Sequence, residues 1–179
     1  IKYTIYSVMP EAKKYSKIKG GFTPGLVTGK PLFLGGSLGR VEATGRGVVV
    51  SALEAMAKLN MDPKKCTAVV QGFGNVGSIT AAHFVDAGVK VIGISDHTGA
   101  FYNEKGIDIQ KAIAYRDKHK GILKGFKGGE LIKSEDLLTL KTDILAPCAM
   151  ENQIRAATNA HKIKAKLIRS TLKKVQNDF

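Results

Sequence analysis

A short glycine turn, set between an apolar run and a stretch of helical pattern, limits the folds open to this chain. Residues Gln71-Gly72-Phe73-Gly74-Asn75-Val76-Gly77 follow the apolar run Cys66 to Val70 and open the helical stretch. Gly72 permits a tight strand-to-helix turn, Gly74 lets the backbone approach a pyrophosphate without a Cβ in the way, and Gly77 lets the helix pack close to the strand. The first N–H groups of the helix would face the phosphates, where the helix dipole favours negative charge. Glycine turns are common in loops, so the motif carries weight only through its neighbours.

Those neighbours complete a unit. Val76 to Ala87 reads as a helix with Ile79, Ala82, Phe84 and Val85 among its small and apolar positions, closed by Gly88 at the C′ position. A second apolar run, Val89 to Ile94, precedes Asp96, which stands 19 residues after Gly77. That is near the spacing of a carboxylate that accepts hydrogen bonds from an adenosine ribose. The plainer reading of Asp96 is that it starts a turn in Ser95-Asp96-His97-Thr98-Gly99. As a ribose acceptor, Asp96 would repel a 2′-phosphate and favour NAD over NADP, while Ser95 and His97 beside it leave room for NADP.

Composition removes several classes. The 179 residues suit one domain with a sizeable core, and 44% hydrophobic with 24% charged content is ordinary for a globular chain. No apolar stretch reaches transmembrane length and no signal-peptide pattern is visible, so a cytoplasmic, membrane-free protein is expected. Cys66 and Cys148 make neither a disulfide framework nor a metal-ligand spacing and read as reduced thiols in or beside strands. A net charge of +13 would attract polyanions, and lysines crowd residues 13–19, 111–133 and 162–174. The basic residues are not interleaved with aromatics in an RNA-recognition or single-strand pattern, which counts against nucleic acid. A solvated lysine surface, or an acidic partner, remains as the account of the charge.

Along the chain no repeat appears. Residues 1–19 begin with a β-like alternation at Tyr3 and Ile5 and turn basic, and Gly20 to Gly39 is a glycine- and proline-rich loop. Thr44 to Leu59 has a helical apolar face through Val48, Ala52, Leu53, Ala55, Met56 and Leu59, and Val48-Val49-Val50 suggests burial on more than one side. Asp108 to Lys118 follows as a helix, Leu131 to Leu140 holds a short helix that Ser134 could cap, and Asp143 to Pro147 reads as a buried parallel strand. A helical stretch from Asn152 to Ala160 leads to a last strand, Ala165 to Ile168. Alternating strands and helices predict an α/β fold, a Rossmann-like doubly wound sheet, mostly parallel, with helices on both faces. The expected division is 1–19 as an atypical N-terminal segment, 20–168 as the nucleotide-binding domain and 169–179 as an atypical tail.

Several segments together resemble the cofactor-binding domain of glutamate dehydrogenases, within the glutamate, leucine, phenylalanine and valine dehydrogenase superfamily. They are Thr28-Gly29-Lys30-Pro31, Gly35-Gly36-Ser37-Leu38-Gly39-Arg40, Glu42-Ala43-Thr44-Gly45-Arg46-Gly47-Val48, the glycine turn, and Leu145-Ala146-Pro147-Cys148-Ala149-Met150-Glu151-Asn152-Gln153-Ile154. The resemblance covers roughly residues 15 to 168 and is far more specific than the turn alone. It implies that Thr44 and Asn75 lie beside the nicotinamide and its ribose, and that Ala146, Pro147 and Cys148 wall the pocket. Cys148 reads as a small wall residue where alanine is common, not as a nucleophile. Arg40 resembles an arginine near the family's cleft, and is equally readable as a fork tying the glycine loop to the helix start. With Gly72, Phe73, Gly74, Val76, Gly77 and Asp96, these make up the expected cofactor site. No residue is assigned as catalytic or metal-binding; His83 and His119 read as surface or core positions.

The family's reaction, as the resemblance implies it, passes hydride between the nicotinamide and the Cα of L-glutamate, giving an imine that hydrolyses to 2-oxoglutarate and ammonia. A lysine in a glycine-rich segment and an aspartate of a separate substrate domain supply the acid–base chemistry, and neither segment occurs here. After Ile168 the family's Ala-Glu-Gly-Ala-Asn type of segment is replaced by Arg169-Ser170-Thr171-Leu172-Lys173-Lys174. The expectation is therefore a detached NAD-binding domain that binds cofactor without turnover and meets L-glutamate or 2-oxoglutarate only with a substrate domain. The family assembles as homo-hexamers, largely through that other domain. Two rivals stay open: a non-enzymatic nucleotide-binding module, and a basic binder of nucleic acid or an acidic partner.

Overall fold

The apolar run before the glycine turn forms strand β1, Thr67–Gln71, in the middle of a six-stranded sheet. The computed structural model describes residues 14–21, 23, 25, 29–150 and 152–169. The others are β2 (Lys90–Asp96), β3 (Gly99–Tyr102), β4 (Glu130–Ile132), β5 (Ile144–Pro147) and β6 (Leu167–Ile168), in the spatial order β4-β3-β2-β1-β5-β6. Strands β2, β1, β5 and β6 run parallel, while β3 and β4 are antiparallel additions at one edge. Beyond residue 42 the α-helices among the described residues are α1 (Ala43–Lys58), α2 (Asn75–Asp86), α3 (Ile109–Lys118) and the single turn α4 (Ser134–Leu137).

Strand β1 is buried at four of its five positions, as a central parallel strand must be. Its alternation splits the core in two. Ala68 and Val70, with Ile144 and Ala146 of β5, join the larger cluster with Val48, Val49, Ala52 and Met56 of α1, Phe84 of α2 and Ala112 of α3. Val69 and Leu145 point to the opposite cluster, which Leu137 and Leu138 cover together with Ile154, Ile163 and Ala165. Fully buried Met56 and Phe84 are each worth about 1.5–3 kcal/mol of transfer free energy. Helices thus cover the two faces unequally: three full helices on one, and one helical turn with irregular chain on the other.

Each long helix ends in the same way. Asn60, Gly88 and Lys120 have positive φ (54°, 87° and 57°), and the next N–H bonds back to the carbonyl of Met56, Phe84 and Arg116 respectively. These are Schellman closures, and Gly88 takes the C′ position expected of it. Asp108 caps α3 by accepting from Lys111 N at 3.0 Å.

Four expectations need correction. Ser134 is the first residue of α4 and does not cap it; Lys133 precedes the turn and makes no side-chain cap bond. Val50 is 53% exposed, so α1 buries only the Val48–Val49 side. The span from Asn152 to Ala160 is a series of turns, ending in a 3-10 turn at Ala160–Lys162. There Asn159 Oδ1 accepts from Arg155 N at 2.8 Å and Asn159 Nδ2 donates to Gln153 O at 2.8 Å, giving the backbone partners that a helix would otherwise supply. The hairpin β2–β3, joined through His97 and Thr98, extends the sheet where only a turn was expected. The alternation at Tyr3 and Ile5 lies outside the described residues.

The chain forms two compact units, Ile1–Ala43 and Thr44–Phe179. In the first, Leu32–Leu34 is a 3-10 turn closed by Gly35 at φ 79°, and a Cβ on Gly36 would fall 1.9 Å from Lys30 O. Gly36 is therefore a packing requirement, and Gly35 a conformational one.

The second unit is pinned at the N-terminal edge of its sheet by Asp143. This carboxylate accepts from Thr67 N at 2.9 Å and Thr67 Oγ1 at 3.0 Å, and pairs with Lys166 Nζ at 2.9 Å, so the starts of β1, β5 and β6 meet there. Burial alone would raise the carboxyl, but those hydrogen bonds and the Lys166 charge outweigh it and hold it below the ordinary 3.8. A lowered carboxyl stabilises the fold above its unfolded pKa and loses that increment as the pH falls through the folded value. Asp143→Asn should cost about 1–3 kcal/mol in urea unfolding at pH 7, and the gap to the wild-type chain should close below pH ~4.

Candidate functional site

The glycine turn stands where the sheet changes direction. From β1 the chain passes through α2 to β2 on one side, while β5 lies on the other side of β1. The carboxyl end of β1 is therefore a topological switch point, the place where open α/β sheets form a crevice.

The three glycines have distinct surroundings. Gly72 has φ +89°, and a Cβ there would meet Cys148 O at 2.8 Å. A Cβ on Gly77 would fall 1.6 Å from Gly72 O, so α2 can press against the end of β1 only without a side chain. Gly74 is exposed and has nothing within 4 Å of its missing Cβ. The turn is thus crowded on its protein side and open at its tip. Phe73 is 1% exposed, so its ring belongs to the core and only its backbone belongs to the turn. Asn75 begins α2 at the exposed tip, and Val76 is half-buried behind it.

Short contacts bring Cys148 and Gly45 to this point. Cys148 N donates to Gln71 O at 2.7 Å, holding the Ala146-Pro147-Cys148 segment beside the turn. Cys148 Sγ lies 3.8 Å from Thr80 Oγ1, which donates to Gly45 O at 3.4 Å. A Cβ on Gly45 would lie 2.7 Å from Ile79 Cγ2 and 2.9 Å from Val76 O, so α1 and α2 touch at that glycine. Exposed Thr44 precedes it in the first turn of α1. Arg40 lies in the N-terminal unit, where its N–H reaches Ser37 O at 3.4 Å.

Asp96 ends β2, and its carboxylate is already in use. Oδ1 accepts from Thr98 N at 2.7 Å and Thr98 Oγ1 at 2.5 Å, and Oδ2 accepts from Leu123 N at 2.6 Å. The turn-starting role is therefore real, and it fixes the carboxylate in place. Two carboxylate oxygens offer about four acceptor sites, so capacity remains for a further donor. Ser95 is buried, with Oγ accepting from Gly72 N at 3.5 Å, and His97 is exposed on the hairpin turn.

Two groups here were not singled out from the sequence. Gln71 is 9% exposed, donates through Nε2 to Gln153 Oε1 at 3.0 Å, and leaves its own Oε1 without a partner among the described residues. Arg116, counted in the sequence only as one more basic residue, reaches the turn from α3 through Phe73 O, Gly74 O and Ser78 Oγ. No sequence spacing connects residue 116 to residue 73. His119 is exposed, stacks on Tyr115 at 3.8 Å, and stands clear of the turn residues in its bonding. Among the described residues no cluster could hold a metal and no helix is long and apolar enough to cross a membrane.

The fold and this turn define a Rossmann-like α/β domain. Residues 35–170 match the family model for glutamate/leucine/phenylalanine/valine dehydrogenases, and the chain belongs to that family. It is 49% identical over 155 residues to a glutamate dehydrogenase of Thermotoga maritima, covering 86% of this chain and 37% of the relative. It is 46% identical to the cryptic catabolic NAD-specific glutamate dehydrogenase GudB of Bacillus subtilis, over 87% of this chain and 36% of that protein. Among solved structures, the hetero-hexameric glutamate dehydrogenase of Thermus thermophilus superposes with a TM-score of 0.77 at 27% identity, over 89% of this chain and 37% of that one. The Plasmodium falciparum glutamate dehydrogenase gives 0.75 at 31% identity, over 89% and 36%. The chain thus spans a little over a third of the length of these relatives.

Two outcomes follow from the geometry. Gly77→Ala should destabilise the chain by about 1–3 kcal/mol or more through overpacking against Gly72 O, measured by urea unfolding. Burial pushes the Cys148 thiol up to about 11, with the Thr80 hydroxyl opposing only in part. Alkylation of Cys148 by iodoacetamide at pH 8 should therefore be far slower than that of a free thiol, and should rise steeply only as the pH nears 11.

Proposed function

We propose that this chain holds NAD at the β1–α2 turn, as the nucleotide-binding part of an NAD-dependent glutamate dehydrogenase. The observation that carries the reading is the contrast within the turn: Gly77 is glycine because the protein fills its Cβ position, whereas Gly74 is glycine beside open space. A glycine with positive φ or a packing constraint explains itself within the protein, and Gly74 has neither. A ligand that the backbone approaches closely gives it a reason, and a pyrophosphate at the helix N-terminus fits that place.

The residues present suit the rest of such a ligand. In this reading the Asn75 amide and the Thr44 hydroxyl, both exposed at helix starts, hydrogen-bond the nicotinamide end, with Ala146, Pro147 and Cys148 as the wall. Asp96, held by Thr98 and Leu123, accepts from the adenosine ribose and repels a 2′-phosphate, which favours NAD over NADP. The NAD-specific name of the Bacillus subtilis relative supports the same preference. Arg40 joins the reading on the resemblance alone. Bound NAD would supply the hydride acceptor. Acid–base work on L-glutamate needs groups that the described residues around the turn do not supply, so these 179 residues bind without turnover in this reading. The free thiols of Cys66 and Cys148 accord with a reducing, cytoplasmic setting.

Gly74→Ala separates the parts of this proposal. The residue has φ −75° and free space around it, so unfolding stability should stay within about 0.5 kcal/mol of the wild-type chain. NAD affinity should fall at least about tenfold in isothermal titration. Equal affinity in the two proteins, or no NAD binding by either, rejects the reading. Steep salt-dependent binding of nucleic acid with indifference to NAD would instead favour the polyanion account of the +13 charge.

A further inference from the structure

We propose that Arg116 is the positioning residue of the glycine turn, holding its carbonyls inward so that its amides point outward to a phosphate. The inference rests on the nucleotide reading above and adds to it a residue from a different helix, 42 positions beyond Gly74.

Arg116 is 17% exposed at the end of α3. Its Nη1 donates to Ser78 Oγ at 2.6 Å and approaches Phe73 O at 3.3 Å and Gly74 O at 3.4 Å. The guanidinium stands 5.9 Å from the Phe73 ring centre, so the same group also rests against the buried anchor of the turn. Gly74 O also accepts from Ser78 Oγ at 2.8 Å and from Ser78 N at 3.0 Å, the first backbone bond of α2, so Phe73 O is the carbonyl that depends most on Arg116. Its remaining donors, Nε and Nη2, pair with Asp117 Oδ1 at 2.9 and 2.7 Å, which orients the fork and offsets its charge.

The consequence follows from the peptide plane. In a trans peptide the C=O of one residue and the N–H of the next point in opposite directions. Fixing Phe73 O therefore aims the N–H of Gly74 away from Arg116, and fixing Gly74 O does the same for the N–H of Asn75. Gly74 and Asn75 are the exposed residues of the turn. Without Arg116 the Gly74–Asn75 plane keeps its backbone bond from Ser78 N at 3.0 Å, but the Phe73–Gly74 plane loses the bond that aims it, and Gly74 has no side chain to restrict that rotation. A pyrophosphate would then have to order this plane on binding, at a cost in affinity. Because Asp117 offsets the positive charge, the effect of Arg116 is geometric more than electrostatic. Lysine keeps the charge but lacks the planar fork, and so is a poor substitute.

The test compares NAD with adenosine, which lacks the pyrophosphate, on the whole chain and on its Arg116→Met, Arg116→Lys and Ser78→Ala variants. Titrations by nuclear magnetic resonance are paired with urea unfolding. Both Arg116 variants should lose about tenfold in NAD affinity while adenosine affinity stays unchanged, and Ser78→Ala should lose less in the same direction. Should Arg116→Met fail to fold, Arg116→Lys and Ser78→Ala carry the comparison. NAD affinity within twofold of the wild-type chain in the folded variants overturns the role of Arg116 and leaves the nucleotide reading standing. Parallel loss of NAD and adenosine shows a merely structural role and also overturns it. A wild-type chain that binds neither ligand overturns both readings.

Discussion

The architecture depends on one close approach, between the start of α2 and the end of β1. Gly77 lies so near Gly72 O that a Cβ would sit 1.6 Å away, and Gly72 in turn backs onto Cys148 O. A side chain at either position would push helix from strand. It would also disturb the bond from Cys148 N to Gln71 O that brings β5 to the turn. The remaining contacts build outward from this point: Thr80 to Gly45 carries the start of α1, and Gly72 N to Ser95 Oγ carries the end of β2. Tight packing of this kind transmits small changes, because close-packed interiors have little free volume to absorb them.

The same constraint explains why the tip of the turn stays exposed. The protein side is filled by Phe73, Ser78 and Arg116, while Gly74 and Asn75 face open space. Packing therefore draws on Gly72 and Gly77, and the binding proposed above on Gly74. Asp96 shows the reverse economy, since one carboxylate both closes the β2–β3 hairpin and anchors the chain after α3 at Leu123. Structural bonding of this sort does not compete with a role at the ribose; it fixes the direction in which the carboxylate can accept.

What was legible in the sequence was local. The unit β1–α2–β2 could be read because apolar periodicity, the glycine turn and the Gly88 closure all concern residues within a few positions of one another. The helices at Ala43–Lys58 and Ile109–Lys118 were legible for the same reason. The two antiparallel strands were not: β3 has four residues and β4 three, too short for a clear alternation, and their identity comes from pairing, β3 with β2 and β4 with β3. The turns from Asn152 to Ala160 imitate a helix in composition, yet Asn159 bonds the local backbone instead. Around the turn, the positions of Gly72, Gly74 and Gly77 were readable, while the burial of the Phe73 ring and the reach of Arg116 were not.

The sequence by itself therefore determined the α/β class, the place of the glycine turn, and the family to which the chain belongs, because all three are written in short-range pattern and motif order. Tertiary structure decided which glycine serves packing and which leaves room, that the carboxylate of Asp96 is already bonded, and that an arginine on a distant helix holds the turn. The physical reason is that these are distances between elements far apart in the chain. Such distances follow from how the faces of the sheet and helices pack, and spacing along the chain does not encode them.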